Sequence, residues 1–108
     1  MEYKVIVSST ASRQIEEDLD YIFKISNDLK TVRNWANAIE EGIRSLDLFP
    51  KRYSLCGLKA LKEKGIRSLT VKRRIVYYEV NEERKTVTVC AVVYAKRDQE
   101  VALSEIGQ

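Results

Sequence analysis

The chain has 108 residues, enough for a single compact domain over positions 1–108, and 44% of them are hydrophobic, so a core can form beneath a charged surface. It contains no histidine, which excludes Ser-His-Asp and Cys-His nucleophile systems and most zinc sites, and we expect neither a metal nor a cofactor. No apolar run reaches about 18 residues and the first residues lack a signal-peptide pattern, so we expect a cytoplasmic protein with no membrane partner.

The positive charge is concentrated in the second half of the chain. The net charge is only +3, yet residues 1–50 carry six Lys and Arg against nine Asp and Glu, and residues 51–98 carry thirteen against five. This asymmetry would focus a positive potential toward a polyanion, which favours nucleic acid or an acidic protein segment as a partner. A solvated charged surface with no partner is the alternative.

The chain opens with a predicted strand followed by a predicted helix. Residues 2–8 are rich in β-branched side chains, which is typical of a short strand. The hydroxyl residues at positions 8–10 can cap a helix, and apolar residues then recur at helical spacing as far as Ser26. Asn27 and Asp28 interrupt this pattern and can cap a second helix.

A second apolar stripe over residues 32–46 predicts the next helix, which Phe49 and Pro50 close. Two amphipathic helices joined by a short polar turn should pack as an antiparallel hairpin. At this spacing Trp35 is expected in the core rather than on a surface that stacks nucleic-acid bases.

The second half predicts three strands after an irregular basic stretch over residues 51–64. Alternating patterns cover 66–71, 74–80 and 86–94, and the short connections between them require an antiparallel meander. In the last strand the alternation places Val87, Val89, Ala91 and Val93 on one face and Thr88, Cys90, Val92 and Tyr94 on the other. A short C-terminal helix could follow Asp98.

This order predicts an α+β fold in which the N-terminal strand and the meander form a sheet packed on the helical hairpin. The opposite face of the sheet would be left open, and basic residues should gather there and at its rim. The residues on or beside the last three strands are Arg67, Lys72, Arg73, Arg74, Lys96 and Arg97.

These basic residues and Tyr94 suit chemistry on a phosphate. The planar guanidinium of arginine can bind two phosphate oxygens at once, and phosphoryl transfer mainly requires a held phosphate with its developing charge neutralised. A tyrosine hydroxyl can act as an acid or a base, or its ring can stack on a base. A solvated sheet face on which Tyr94 only packs is the alternative.

Four runs of residues together resemble a known family. They are Leu46-x-x-Phe49-Pro50-x-Arg52, Gly65-Ile66-Arg67-x-Leu69-x-Val71, Ile75-Val76-Tyr77-Tyr78-x-Val80 and Val87-x-Val89-x-x-Val92-Val93-Tyr94-x-Lys96-Arg97-Asp98. In order and spacing they resemble the RelE/ParE superfamily of bacterial type II toxin–antitoxin toxins, also called plasmid stabilization proteins. The similarity covers nearly the whole chain.

The resemblance implies a cytoplasmic toxin that arrests growth and is neutralised by a cognate antitoxin protein. RelE-like members cut mRNA on the ribosome without a metal, whereas ParE-like members inhibit DNA gyrase and are not known as nucleases. Because the two branches share one fold, the fold cannot choose between them.

For the ribonuclease branch the resemblance makes Arg67, Arg97 and Tyr94 the candidate catalytic residues. The other basic residues of the last three strands, Lys72, Arg73, Arg74 and Lys96, are candidates for nucleic-acid binding. Leu69 and Leu103 stand where RelE has a catalytic lysine and a catalytic tyrosine. We favour the ribosome-dependent mRNA endonuclease, and these two departures keep a gyrase inhibitor, or a basic binding module without catalysis, as alternatives.

Overall fold

The computed structural model describes residues 2–94, which form a strand, two long helices, a short helix and three more strands. The bounds are β1 Lys4–Val7, α1 Ser9–Ser26, α2 Leu29–Arg44, α3 Lys59–Glu63, β2 Arg67–Val71, β3 Arg74–Asn81 and β4 Thr86–Tyr94. Two 3₁₀ turns, Ser45–Asp47 and Pro50–Arg52, separate α2 from α3. The predicted α+β order is confirmed, and α3 is an addition within the stretch that has no clear period.

The four strands form one sheet in the order β1-β4-β3-β2. The last three strands form the predicted antiparallel meander, in which Arg67 lies opposite Tyr78 and Arg74 lies opposite Tyr94. The first strand runs parallel to β4. A parallel pair needs a long crossover connection, and the helices provide part of it.

The helical hairpin begins and turns where the sequence predicts. The Ser8 hydroxyl accepts a hydrogen bond from the Ala11 amide at 3.1 Å, which satisfies one of the free donors at the start of α1. Asn27 ends α1 in the left-handed conformation, with φ 50°. The Asp28 carboxylate then caps α2 by accepting from the Lys30 amide at 3.1 Å.

One face of the sheet packs against the hairpin and forms the main core. Trp35 and Ile39 of α2 are buried in the same cluster as Val76 of β3, so the predicted core position of Trp35 is confirmed. The closest approach is at Gly42, where an added Cβ would lie 2.7 Å from Cγ2 of Val71. Glycine at this position therefore lets α2 lie directly on β2.

The opposite face of the sheet is also covered, so the expectation of an open face is wrong. Leu61 of α3, together with Cys56 and Ile66, packs on Tyr77 and Ala91 in a second buried cluster. These few apolar side chains come from a loop, a single helical turn and the residue before β2. They therefore leave no period in the sequence that could have revealed the cover.

A β-bulge in β4 corrects the predicted alternation of that strand. Tyr77 of β3 lies opposite Ala91 and Tyr78 lies opposite Val89, which leaves Cys90 as the extra residue. The helix-side cluster consequently contains Val87, Val89 and Val92, and the second cluster contains Ala91 and Val93. Beyond the bulge every side chain changes face, which brings Tyr94 to the helix side beside Arg74.

Part of the predicted site and one predicted element lie outside the described residues: Lys96, Arg97, Leu103 and the short helix after Asp98. Across residues 2–94, no helix combines the length and apolarity needed to cross a membrane.

Candidate functional site

Arg74, at the start of β3, is held by a carboxylate and two aromatic rings. Its Nε and Nη2 donate to the two oxygens of Asp18 on α1 at 2.6 and 3.0 Å. The guanidinium carbon lies 4.4 Å from the ring centre of Tyr94 and 5.2 Å from that of Trp35. The side chains of Arg74 and Asp18 are only 11% and 19% exposed. Asp18 therefore occupies the two donors, Nε and Nη2, with which Arg74 would otherwise bind two oxygens of a phosphate.

A recess of about 390 Å³ opens beside this pair. Its lining consists of Gln14, Glu17, Asp18, Tyr21, Arg74, Val92 and Tyr94. Gln14 is buried, and its Oε1 accepts a hydrogen bond from the Val92 amide at 2.8 Å, which ties α1 to β4. Two carboxylates face one paired arginine, so the recess is a poor site for a phosphate. The described residues also contain no cluster of metal-ligating side chains.

Arg67, at the start of β2, is bonded to backbone carbonyls. Its Nη1 donates to the carbonyl of Tyr53 at 2.7 Å and to that of Lys51 at 3.3 Å. Arg67 is half-buried and lies opposite Tyr78, whose hydroxyl donates to the Pro50 carbonyl at 2.5 Å. The two side chains therefore fasten the segment that follows α2 to the sheet.

The same segment presents an exposed aromatic residue that the sequence reasoning did not single out as a site. Phe49 is 78% exposed and has a left-handed backbone with φ 48°, although a proline follows it. The Arg52 guanidinium donates to the carbonyls of Ser45, Leu48 and Phe49. The Arg52 side chain thus holds the backbone on which Phe49 is exposed.

The Lys72–Arg73 connection between β2 and β3 is the most exposed part of the predicted basic set that the structure describes. Val71 pairs with Arg74, so only two residues make the turn, and both have positive φ, 48° and 65°. Both side chains are exposed, and neither has an ion-pair partner within residues 2–94.

The two described members of the predicted catalytic set, Arg67 and Tyr94, are not adjacent in the sheet. Arg67 and Tyr94 lie opposite Tyr78 and Arg74, four residues apart on β3, and β3 itself separates their strands. At about 3.3 Å per residue and about 4.8 Å per strand spacing, their Cα atoms are roughly 16 Å apart. The meander instead brings Tyr94 to Arg74.

The buried tyrosines of β3 cannot substitute as general bases near neutral pH. Burial raises the pKa of Tyr77 to about 12, and burial likewise raises the pKa of Tyr78 to about 12. Both hydroxyls therefore remain protonated, and that of Tyr78 is committed to the Pro50 carbonyl.

Asp18 was also missed by the sequence reasoning, although the sequence carries a signal for it. Ala11, Gln14 and Ile22 are the buried residues of α1, and Asp18 falls at the same three-to-four-residue spacing. A carboxylate within an apolar stripe needs a partner when it is desolvated, and Arg74 is that partner.

Comparison with known proteins decides the family. A family model described as the ParE toxin of the type II toxin–antitoxin system, parDE, matches residues 5–99. The chain belongs to this family. The predicted membership of the RelE/ParE superfamily is therefore confirmed, and the protein is a type II toxin–antitoxin toxin of ParE/RelE type.

Solved structures of ParE and RelE type share the fold. A chain of the chromosomal ParDE TA system from P. aeruginosa superposes with a TM-score of 0.72 at 11% identity, over 88% of this chain and 98% of that one. A chain of the RelBE2 toxin–antitoxin complex from Mycobacterium tuberculosis superposes with a TM-score of 0.60 at 17% identity, over 87% and 99%. No curated protein matches the sequence.

Proposed function

We propose that this ParE-family toxin arrests growth by inhibiting DNA gyrase and does not cleave mRNA. The observation that carries the proposal is the commitment of Arg67 and Arg74, two of the three described arginines of the predicted sheet site, to partners within the protein. Arg67 donates to carbonyls of the 51–53 segment, and Arg74 forms a bidentate pair with Asp18. The proposal replaces the sequence-based preference for a ribonuclease.

Phosphate cleavage requires a specific arrangement of charged and acid–base groups. An enzyme that accelerates this reaction aims fixed cations and an acid or base at one phosphate, within about 3 Å of its oxygens. Here Arg74 is neutralised by Asp18, and Arg67 and Tyr94 stand roughly 16 Å apart by strand geometry. Membership of the ParE family supports the same choice, because the resemblance described above implies gyrase inhibition for ParE-like toxins.

The two mechanisms predict different damage, so purified toxin can separate them. In one reaction the toxin is added to DNA gyrase, ATP and relaxed plasmid, and in the other to ribosomes translating a defined mRNA. We expect gyrase-dependent linear plasmid and lost supercoiling, with mRNA ends unchanged in primer extension. New mRNA ends that depend on ribosomes, together with intact plasmid, would reverse the choice.

Arg67→Ala provides a matched test of the ribonuclease alternative. If Arg67 is catalytic, its removal should abolish mRNA cleavage without loss of folding. If Arg67 fastens the 51–53 segment, its removal should lower thermal stability. We expect the Arg67→Ala variant to be less stable. Its gyrase inhibition should fall only in proportion to the fraction of the protein that is folded. Arg84→Ala, at an exposed position in the β3–β4 turn, controls for the loss of one charge.

We also propose a cognate antitoxin as the partner that keeps this toxin inactive. Both structural neighbours come from toxin–antitoxin systems. An apolar groove beside the edge strand β1 offers a surface for such a partner, with Val5, Val7, Ile15, Ile39 and Ile43 among its lining residues. An edge strand has unpaired backbone groups that an added segment can use.

Val7→Glu tests this surface, because the groove variant should lose neutralisation by the co-expressed antitoxin while its growth arrest persists. Ile25→Glu is the matched control, since Ile25 is exposed and lies outside the groove. Full neutralisation of the Val7→Glu variant would contradict the groove as the antitoxin contact and place that contact elsewhere on the toxin.

A further inference from the structure

The recess beside Arg74 contains a hydrogen-bond donor that has no acceptor. Gln14 is only 6% exposed, and its Oε1 accepts from the Val92 amide. Its Nε2 donates to no group among residues 2–94, although the side chain lines the recess. Buried polar atoms are rarely left without a partner, so this amide favours an occupant that brings a hydrogen-bond acceptor.

The charges that line the recess favour a cation. Glu17 and Asp18 contribute two carboxylates against the single guanidinium of Arg74, which leaves one negative charge. Asp18 is committed to Arg74, whereas Glu17 pairs only with the exposed Arg13, through one of its two oxygens, at 3.0 Å. The volume of about 390 Å³ lies in the range of pockets that enclose ligand groups. A basic side chain that enters with its backbone carbonyls would therefore satisfy both Glu17 and Gln14.

The β2–β3 turn places two unpaired cations directly beside this recess. Lys72 and Arg73 are exposed, and neither side chain has an ion-pair partner within residues 2–94. The next residue, Arg74, lines the recess, so the basic turn and the acidic recess form one continuous patch. The backbone of the turn is held in place, because α2 packs on Val71 and β4 pairs with β3 as far as Tyr94.

We propose that the toxin forms a two-fold dimer in which Arg73 of each copy enters the recess of the other copy and pairs with Glu17. In a two-fold interface the same patch meets itself, so that patch must carry both members of every contact. The turn and the recess meet this requirement. A nucleic acid is a poorer occupant, because its phosphates would approach the carboxylates of Glu17 and Asp18 beside the turn.

Charge reversal tests this pairing, because each substitution disrupts both symmetric contacts. Arg73→Glu places two carboxylates in each contact, and Glu17→Arg places two guanidinium groups there. A close charge pair at an interface contributes about tenfold or more to affinity, so each variant should weaken dimerisation by about 100-fold or more. In an equimolar mixture, one chain of each variant forms a heterodimer with two contacts between opposite charges, so the mixture should dimerise again.

The matched controls are Arg84→Glu and Glu83→Arg, which reverse the same charges at exposed positions in the β3–β4 turn. That turn lies at the opposite end of β3 from Arg73, and neither residue lines the recess. Molecular mass is measured by analytical ultracentrifugation over a series of toxin concentrations. Thermal unfolding followed by circular dichroism confirms that each variant is folded.

We expect the unaltered toxin, both controls and the mixture to dimerise, and each recess variant alone to stay monomeric at the same concentrations. An unaltered toxin that is monomeric up to its solubility limit would overturn the inference and leave the recess to a different partner. Dimers that tolerate both reversals, or that weaken equally in the controls, would also overturn it, and a mixture that stays monomeric would contradict the two-fold pairing. Because the mass does not depend on gyrase, a toxin that dimerises without inhibiting gyrase refutes only the proposed function.

Discussion

Replacement of Arg74 by methionine tests whether this arginine is structural. Methionine keeps much of the aliphatic volume but removes the guanidinium, which leaves the Asp18 carboxylate in its largely desolvated position without a partner. It also removes the cation from between Tyr94 and Trp35. The loss therefore combines an uncompensated carboxylate with lost contacts between the cation and the two rings.

The magnitude follows from the burial of the pair. Breaking a fully buried ion pair costs about 3–5 kcal/mol, and an exposed pair contributes at most about 1 kcal/mol. With side chains 11% and 19% exposed, the pair lies nearer the buried limit, and each ring contact adds about 0.5–1 kcal/mol. We expect Arg74→Met to lower the free energy of unfolding by about 4 kcal/mol, of which the broken pair accounts for about 3, a large part of the 5–15 kcal/mol typical of a domain.

A double-mutant cycle with Asp18→Asn isolates the pair. Asparagine removes the charge and keeps a hydrogen-bonding oxygen, so Asp18→Asn alone should cost about 1–2 kcal/mol. The double variant should be more stable than the sum of the single losses by about 1–2 kcal/mol. Urea unfolding can be followed by the fluorescence of Trp35, the only tryptophan, which reports directly on this cluster.

Two results would refute the reasoning. Additive losses would mean that Arg74 and Asp18 do not interact appreciably in solution. A loss below about 0.5 kcal/mol for Arg74→Met, with growth arrest abolished, would assign Arg74 to the phosphate-binding role that its position in the sequence suggests. Arg74→Lys adds a further check, because lysine keeps the charge and loses the bidentate geometry.

Three further predictions concern the sheet and its edges. Tyr78→Phe should cost about 1–3 kcal/mol in urea unfolding, because the Pro50 carbonyl loses its donor; an unchanged midpoint would contradict this bond. Gly42→Ala should destabilise the protein by about 1 kcal/mol, because overpacking against β2 exceeds the gain in helix propensity. Gly57→Ala should be neutral, because its Cβ would meet nothing within 4 Å, and equal effects of the two substitutions would argue against the close approach of α2 to β2. Hydrogen bonds from Lys85, Tyr3 and Lys51 lower the pKa of Glu82 to about 2, so its contribution to stability is complete above its usual pKa near 4.5 and is lost as the pH falls toward 2. Glu82→Gln should therefore weaken the dependence of the unfolding midpoint on pH across that acid range, and an unchanged dependence would contradict this role of Glu82.

The helical half of the fold was readable from the sequence because each signal there is local. Ser8, Asn27 and Asp28 act at the helix ends as their types predict, and the apolar stripe that contains Trp35 faces the sheet. Caps and stripes depend on neighbours within one or two turns. A single sequence contains all the information that such features require.

The features that the sequence did not reveal depend on residues far apart in the chain. The parallel pairing of β1 with β4 joins segments about 80 residues apart, and nothing in either strand specifies the partner. The bulge at Cys90 arises from the fit between β3 and β4, and the alternating pattern of β4 passes through it without interruption. One extra residue was enough to move Tyr94 to the other face.

The basic residues illustrate why composition alone overstates a binding surface. Arg67, Arg74 and Lys72 are equal in a count of charge, yet the first is bonded to carbonyls, the second to a carboxylate, and the third extends from a strained turn. A charge can bind an external phosphate only as far as its own protein leaves it unpaired and near solvent. By that criterion, only exposed elements of the second half, such as the turn at Lys72 and Arg73, remain as cationic surface among the described residues. The pair of Arg74 with Asp18 has two structural effects: it removes one cation from the surface, and it holds the base of the turn that carries Lys72 and Arg73.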